Sequence, residues 1–202
     1  MVIVINEGNN VKYKIATETQ VATTKPTYNH FIFIDMEMTG LDVNKDTVLE
    51  VACIVTDLDL NELGKCSYVV HESDDVLDNM DPWCIDVHGK SGLTQDSRSS
   101  KYSIDDVDEL VHHFVSQFET DGVSPIVGNS IHQDKKFIDK YMPKLQKFFT
   151  YRMIDVSTIK ELCKKWHPAV YDKFVKINAH RAIGDTYESI AELKYYREMK
   201  IV

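Results

Sequence analysis

The stretch FIFIDMEMTGLD, Phe31 to Asp42, constrains this chain more than any other, because an apolar run ends in two carboxylates separated by one residue. Phe31, Ile32, Phe33 and Ile34 are aromatic or β-branched and the run stops at Thr39-Gly40, a pattern that predicts a buried strand rather than a helix. Residues two apart on a strand share a face. Asp35 and Glu37 therefore leave the sheet in the same direction, where hard carboxylate oxygens can share a divalent cation. The same tripeptide also reads as a solvated strand end with ordinary surface acids.

Further β-branched runs at Thr47 to Asp57 and Lys65 to His71, joined through Asp59 and Asn61, predict a three-stranded antiparallel meander. Asp74 to Gly92 reads as irregular or helical. Ile104 to Thr120 spaces Val107, Leu110, Val111, Phe114, Val115 and Phe118 as an amphipathic helix, with His112 and His113 at its surface or boundary. Strands at Pro125 to Val127 and Tyr151 to Ile154 alternate with helices at Gln133 to Lys140 and Gly184 to Glu198, the latter burying Ile190, Leu193 and Tyr196. Asp155 to Thr158 supplies cap residues for a helix between them, and Thr158 with Glu161 has capping-box spacing. These elements predict an α/β fold, a sheet covered by helices on both faces.

The chain's 202 residues suffice for one domain plus a tail. The domain is expected over residues 30–202. Residues 1–29 read as an extension of uncertain order, with a short strand at Val2 to Ile5 as the alternative. Glu7, Glu18 and the lack of arginine there disfavour a mitochondrial presequence, and the apolar start is too short for a secretory signal. No apolar run approaches the roughly 20 residues that cross a bilayer. Cys53, Cys66, Cys84 and Cys163 lack metal-finger spacing and are expected as reduced, buried thiols of an intracellular protein. The expected compartment is the cytoplasm, with mitochondrion and nucleus left open. A net charge of −9 disfavours a long nucleic-acid track, which needs a basic surface, and fits a short substrate held by a few placed groups.

Two more acids stand where α/β folds place their sites. Asp134 follows a strand and the turn Gly128-Asn129-Ser130; Asp185 lies five residues after His180 at a helix start. Each alone also reads as a surface or loop residue. Brought together, Asp35, Glu37, Asp134 and Asp185 would repel one another unless divalent cations neutralised them. Two ions roughly 3.5–4 Å apart would hold a phosphodiester between them, and a neutral His180 would accept the proton of an attacking water.

Asp35-Met36-Glu37, Asp134 within GNSIHQD, and His180 with Asp185 resemble the motifs of the DEDDh 3′-to-5′ exonucleases, whose fold is ribonuclease H-like. Within that group the wording IDMEMTGLD, MDPW, KYMPKL, YRMIDVSTIKEL and HRAIGDTYESIAELKYYRE is most similar to the oligoribonucleases. The N-terminal extension departs from their compact form. The resemblance implies a five-stranded mixed sheet flanked by helices. It also implies an exoribonuclease that uses Mg²⁺ or Mn²⁺ to degrade short oligoribonucleotides, finally dinucleotides, to nucleoside 5′-monophosphates. Leu41 would wedge against the bases, and Trp83 and His88 would line the dinucleotide pocket. Ser130, Arg152, Ser157 and Thr158 would cap the 5′ phosphate, and Tyr151 would reach the second subunit's site in a homodimer. Arginine forks, hydroxyl donors near a helix N-terminus and aromatic faces suit these tasks. Two alternatives stay open: another DEDDh exonuclease that trims or proofreads 3′ ends, and a catalytically silent nucleotide-binding module.

Overall fold

The computed structural model describes residues 28–176 and 180–202, and the backbone of 2–7 and 10–15. At the N-terminus β1 (Val2–Glu7) pairs antiparallel with β2 (Asn10–Ile15), so the strand alternative for Val2 to Ile5 holds. The Thr-Thr-Lys-Pro stretch lies outside the described residues.

The main sheet runs β5-β4-β3-β6-β7, built from β3 (His30–Met38), β4 (Val48–Asp57), β5 (Glu62–Val69), β6 (Ser124–Gly128) and β7 (Phe149–Asp155). The β3, β4 and β5 strands form the antiparallel meander; β6 and β7 add on in parallel, making the sheet mixed. Nine consecutive residues of β4 are buried, as an apolar run covered on both faces requires. Gly128 is needed where β6 passes β3: a Cβ there would stand 2.7 Å from the Ile34 carbonyl oxygen.

The helices are α1 (Asp74–Asp78), α2 (Pro82–Lys90), α3 (Leu93–Ser99), α4 (Ile104–Val115), α5 (His132–Tyr141), α6 (Pro143–Phe148), α7 (Val156–Trp166), α8 (Pro168–Tyr171) and α9 (Ala182–Glu198). Alternation along β3 sorts its side chains between two cores. Ile32, Ile34 and Met36 pack with Val107, Val111, Phe137 and Leu145, whereas Phe33 packs with Val156, Ile190 and Leu193. Asp35 and Glu37 continue the face of Phe33, so the strand aims them at α9.

Several boundaries correct the sequence reading. The α4 helix stops at Val115 rather than Thr120, because the amides of Gln117 and Phe118 bond three residues back, to Phe114 and Val115, instead of four. The α6 helix was not anticipated: Pro143 opens it and the buried Asp108 of α4 accepts from the amides of Lys144 and Leu145. Asp155 caps α7 by accepting from the Ser157 amide; Thr158 sits inside the first turn, exposed, so it does not start a capping box. Cys53, Cys84 and Cys163 are buried, and all four cysteines are free. No described helix is long and apolar enough to cross a membrane.

Candidate active site

Asp35, Glu37 and Asp185 each offer a carboxylate oxygen within 4.8 Å of the other two. The end of β3 supplies the first pair and the first turn of α9 supplies the third. Asp134, buried in α5, stands beside them but outside that trio, and one of its oxygens accepts from the Met36 amide at 2.9 Å. Burial first, and then repulsion from Asp134, Glu37 and Asp185, pushes the Asp35 carboxyl well above the usual range. Glu37 is pushed up to about 8 by burial, Asp185, Glu50 and Asp134. Burial raises Asp134 to about 7, against the Met36 hydrogen bond that lowers it. Asp185 is also raised, chiefly by burial and then by Glu188. Hard oxygen donors that burial and mutual repulsion drive toward the protonated form are a donor set fitted to a divalent cation. Together with the exonuclease motifs they suggest divalent-metal dependence.

Charges absent from the sequence reading surround this set. Lys176 draws Asp35 and Asp185 downward and is paired with the buried Glu192 at 2.8 Å. Glu192 also accepts from Asn129, which ties α9 to the loop after β6. The buried Glu50 binds Arg181, the residue after His180. An acid inside the apolar run of β4 was the signal for Glu50; nothing local in the sequence singles out Lys176 or Arg181. His180 adopts a left-handed backbone at φ 51° and packs edge-on against Trp83, centroids 5.6 Å apart.

A cavity of about 610 Å³ adjoins the acids, lined by Glu37, Leu41, Trp83 and His88 among others. Leu41 and Trp83 are 63% and 58% exposed, which is unusual for large apolar side chains in a packed domain. The Asp46 carboxylate fixes the Leu41 loop by accepting from Thr39 Oγ1 and the Asp42 amide, and it occupies the space a Cβ on Gly40 would need. His88 is buried and donates from Nε2 to the Met38 carbonyl at 2.9 Å, so its Nδ1, 4.0 Å from Glu37, carries a lone pair without a hydrogen-bond partner. Burial lowers its pKa and keeps the ring neutral.

The phosphate-cap candidates divide into two places. Ser130, at φ 51°, and Ser157 meet around Asp155: the Ser130 amide donates to Asp155 at 2.9 Å and to Ser157 Oγ at 3.1 Å. Thr158 is exposed one residue on. Tyr151 and Arg152 lie on the edge strand β7, stacked at 5.3 Å, with Tyr151 83% exposed. Three residues of strand, ~10 Å, separate Arg152 from Asp155. Within one chain the fold does not bring this pair to the serines.

The sequence model of the Exonuclease family matches residues 32–193. The chain is 51% identical over 172 residues to an oligoribonuclease of Colwellia psychrerythraea, covering 85% of this chain and 95% of that protein. It is 45% identical over 185 residues to a probable oligoribonuclease of Dictyostelium discoideum, covering 87% and 97%. The mitochondrial oligoribonuclease of Homo sapiens is 46% identical over 168 residues, covering 82% and 71%. Among solved structures, E. coli exonuclease I with single-stranded DNA superposes with a TM-score of 0.67 at 19% identity. That match takes in 86% of this chain and 41% of the longer one, a likeness of fold.

Proposed function

The chain belongs to the oligoribonucleases of the exonuclease family, a 3′-to-5′ exoribonuclease of short oligoribonucleotides, and we propose that it ends with dinucleotides and releases nucleoside 5′-monophosphates. The observation that carries the short-substrate reading is the 610 Å³ cavity holding exposed Leu41 and Trp83 beside the clustered carboxylates. A pocket for two nucleotides needs no basic track, which accounts for a net charge of −9.

In this reading Asp35, Glu37, Asp134 and Asp185 hold two divalent cations, Mg²⁺ or Mn²⁺, which when bound stabilise the attacking and leaving oxygens of the phosphodiester. His180 takes the proton from the attacking water. Leu41 wedges against the bases while Trp83 gives them a stacking face, and the neutral His88 packs beneath. The hydroxyls of Ser130, Ser157 and Thr158 hold the 5′ phosphate. Tyr151 closes the site of a second subunit, which its exposure on the edge strand β7 supports, and the Arg152 guanidinium beside it caps the 5′ phosphate there. Residues 30–202 form the exonuclease domain and residues 1–29 an extension. The enzyme works in the cytoplasm, with the mitochondrion, which the human relative's name raises, and the nucleus as alternatives.

The test compares turnover of a dinucleotide and a roughly 20-residue RNA with Mg²⁺ or Mn²⁺ present. Strong preference for the dinucleotide and weak salt dependence are expected. Equal or faster cutting of the long strand removes the short-substrate claim and favours a trimming or proofreading exonuclease; an inactive protein favours a silent binding module.

A further inference from the structure

We propose that Glu50 and Arg181 are positioning residues for this reaction: Arg181, gripped by the Glu50 carboxylate, sets His180 against the acid site. The inference rests on His180 being the proton acceptor, as argued above.

Glu50 is 2% exposed, and a carboxylate so buried must be paired. Its partner is Arg181, which donates from Nε to Oε2 and from Nη2 to Oε1, both at 3.1 Å, a parallel fork. Oε2 also accepts from the Ala182 amide at 3.0 Å, and Oε1 from Ser67 Oγ at 3.3 Å. The remaining guanidinium nitrogen, Nη1, reaches Asp96 at 2.8 Å. One side chain thus fastens the residue after His180 to β4 and to α3.

The fastening acts where the backbone requires it. His180 has φ 51°, a conformation that a residue other than glycine keeps only when its surroundings hold it there. Arg181 is the N-cap residue of α9, and that helix has no capping side chain of its own; Glu50 takes the role from the sheet through the Ala182 amide. Glu50 is also the register partner of Glu37. The clamp therefore references His180 to the same rung of the ladder that carries a metal-site acid. Trp83, edge-on to the imidazole, bounds the ring itself.

A clamp that served only to satisfy a buried charge would alter folding and nothing specific to His180. The test is a comparison of Arg181→Lys, which keeps the charge but loses the fork, in the parent and in a His180→Ala background, with a dinucleotide and Mn²⁺. In the parent, kcat falls about 10- to 100-fold, as for a misplaced catalytic group, while KM stays within about threefold. In the His180→Ala background the same substitution changes kcat less than about threefold, because its route of action is gone. Glu50→Gln reproduces the effect, and the Glu50→Gln, Arg181→Lys pair is no slower than either alone. Calorimetric Mn²⁺ affinity stays at the parental value in Arg181→Lys, which keeps every charge around the acids. Should Arg181→Lys fail to fold, Glu50→Gln carries the same comparison. Parental kcat in the folded variants, or an equal loss with and without His180, overturns the proposal. Failure of the functional reading shows separately, as His180→Ala turning over dinucleotides as fast as the parent, and it overturns the inference with it.

Discussion

Glu37 and Glu50 are direct partners across the antiparallel β3–β4 ladder, two acids on one rung of a buried sheet. Like charges in that relation repel. The fold gives Glu50 to Arg181 and leaves the Glu37 carboxyl raised to about 8, by burial first and then by Asp185, Glu50 and Asp134.

That arrangement sets the pH dependence of stability without added metal. Folded Glu37 and Asp134 bind protons up to about 8 and about 7, whereas the unfolded chain releases them near the ordinary carboxylate range. The folded state therefore holds more protons, and stability declines as pH rises from about 4 through 8. Melting temperature measured in chelator should fall across that interval. Added Mn²⁺, which replaces the protons, should raise it more at pH 8 than at pH 5. A Tm that climbs toward pH 8 in chelator contradicts the picture.

The same electrostatics separate stability from activity at Asp35. Its burial and its three acidic neighbours make the anion unfavourable, so Asp35→Asn should raise the chelator Tm at pH 8 by a few degrees, in the manner of other strained active sites. It should also lower kcat by at least about 10³-fold, since a neutral amide is a poor ligand for a hard cation. A drop in Tm of several degrees would show that Asp35 is chiefly structural.

Leu41 and Trp83 predict a binding effect. Both are largely exposed, so alanine at either should leave Tm within about 2 °C. Stacking is worth ~1–3 kcal/mol per base, and dinucleotide KM should rise roughly 5- to 100-fold. Unchanged dinucleotide KM in Trp83→Ala, measured at saturating metal, would leave the pocket without a role.

How much of this was legible in the sequence depended on whether the cause was local. Strand β3 announced itself through Phe31 to Ile34, and alternation alone aimed Asp35 and Glu37 at a common face, which α9 completes with Asp185. The meander followed from apolar runs and short connections, whereas the mixed sheet that β6 and β7 complete came from the family resemblance. Helix α6 was hidden because its first amides are satisfied by Asp108, an acid on a distant element, and α9 starts at Ala182, two residues before the expected Gly184, where the distant Glu50 accepts from the Ala182 amide. Lys176 and Arg181 were missed because a cation's partner is chosen by the fold. Arg152 was placed with Ser130, Ser157 and Thr158 only by the family resemblance, and the extended β7 sets it three strand residues, ~10 Å, from Asp155.

The second subunit proposed for Tyr151 can be tested by mixing. Tyr151 is 83% exposed and touches Arg152, so Tyr151→Ala should fold with parental Tm yet lose dinucleotide turnover by about 10-fold or more through lost packing over the base or sugar. Asp35→Asn, inactive for a different reason, keeps its own Tyr151. If Tyr151 acts across a dimer, denaturing and refolding the two variants together should create mixed dimers in which one site combines intact acids with a tyrosine from the other subunit. Activity of the mixture should then exceed the sum of the two variants refolded alone. Sedimentation should show a dimer throughout. A monomer in sedimentation, or a mixture no more active than that sum, places Tyr151 outside the site and leaves the β7 edge without a catalytic role.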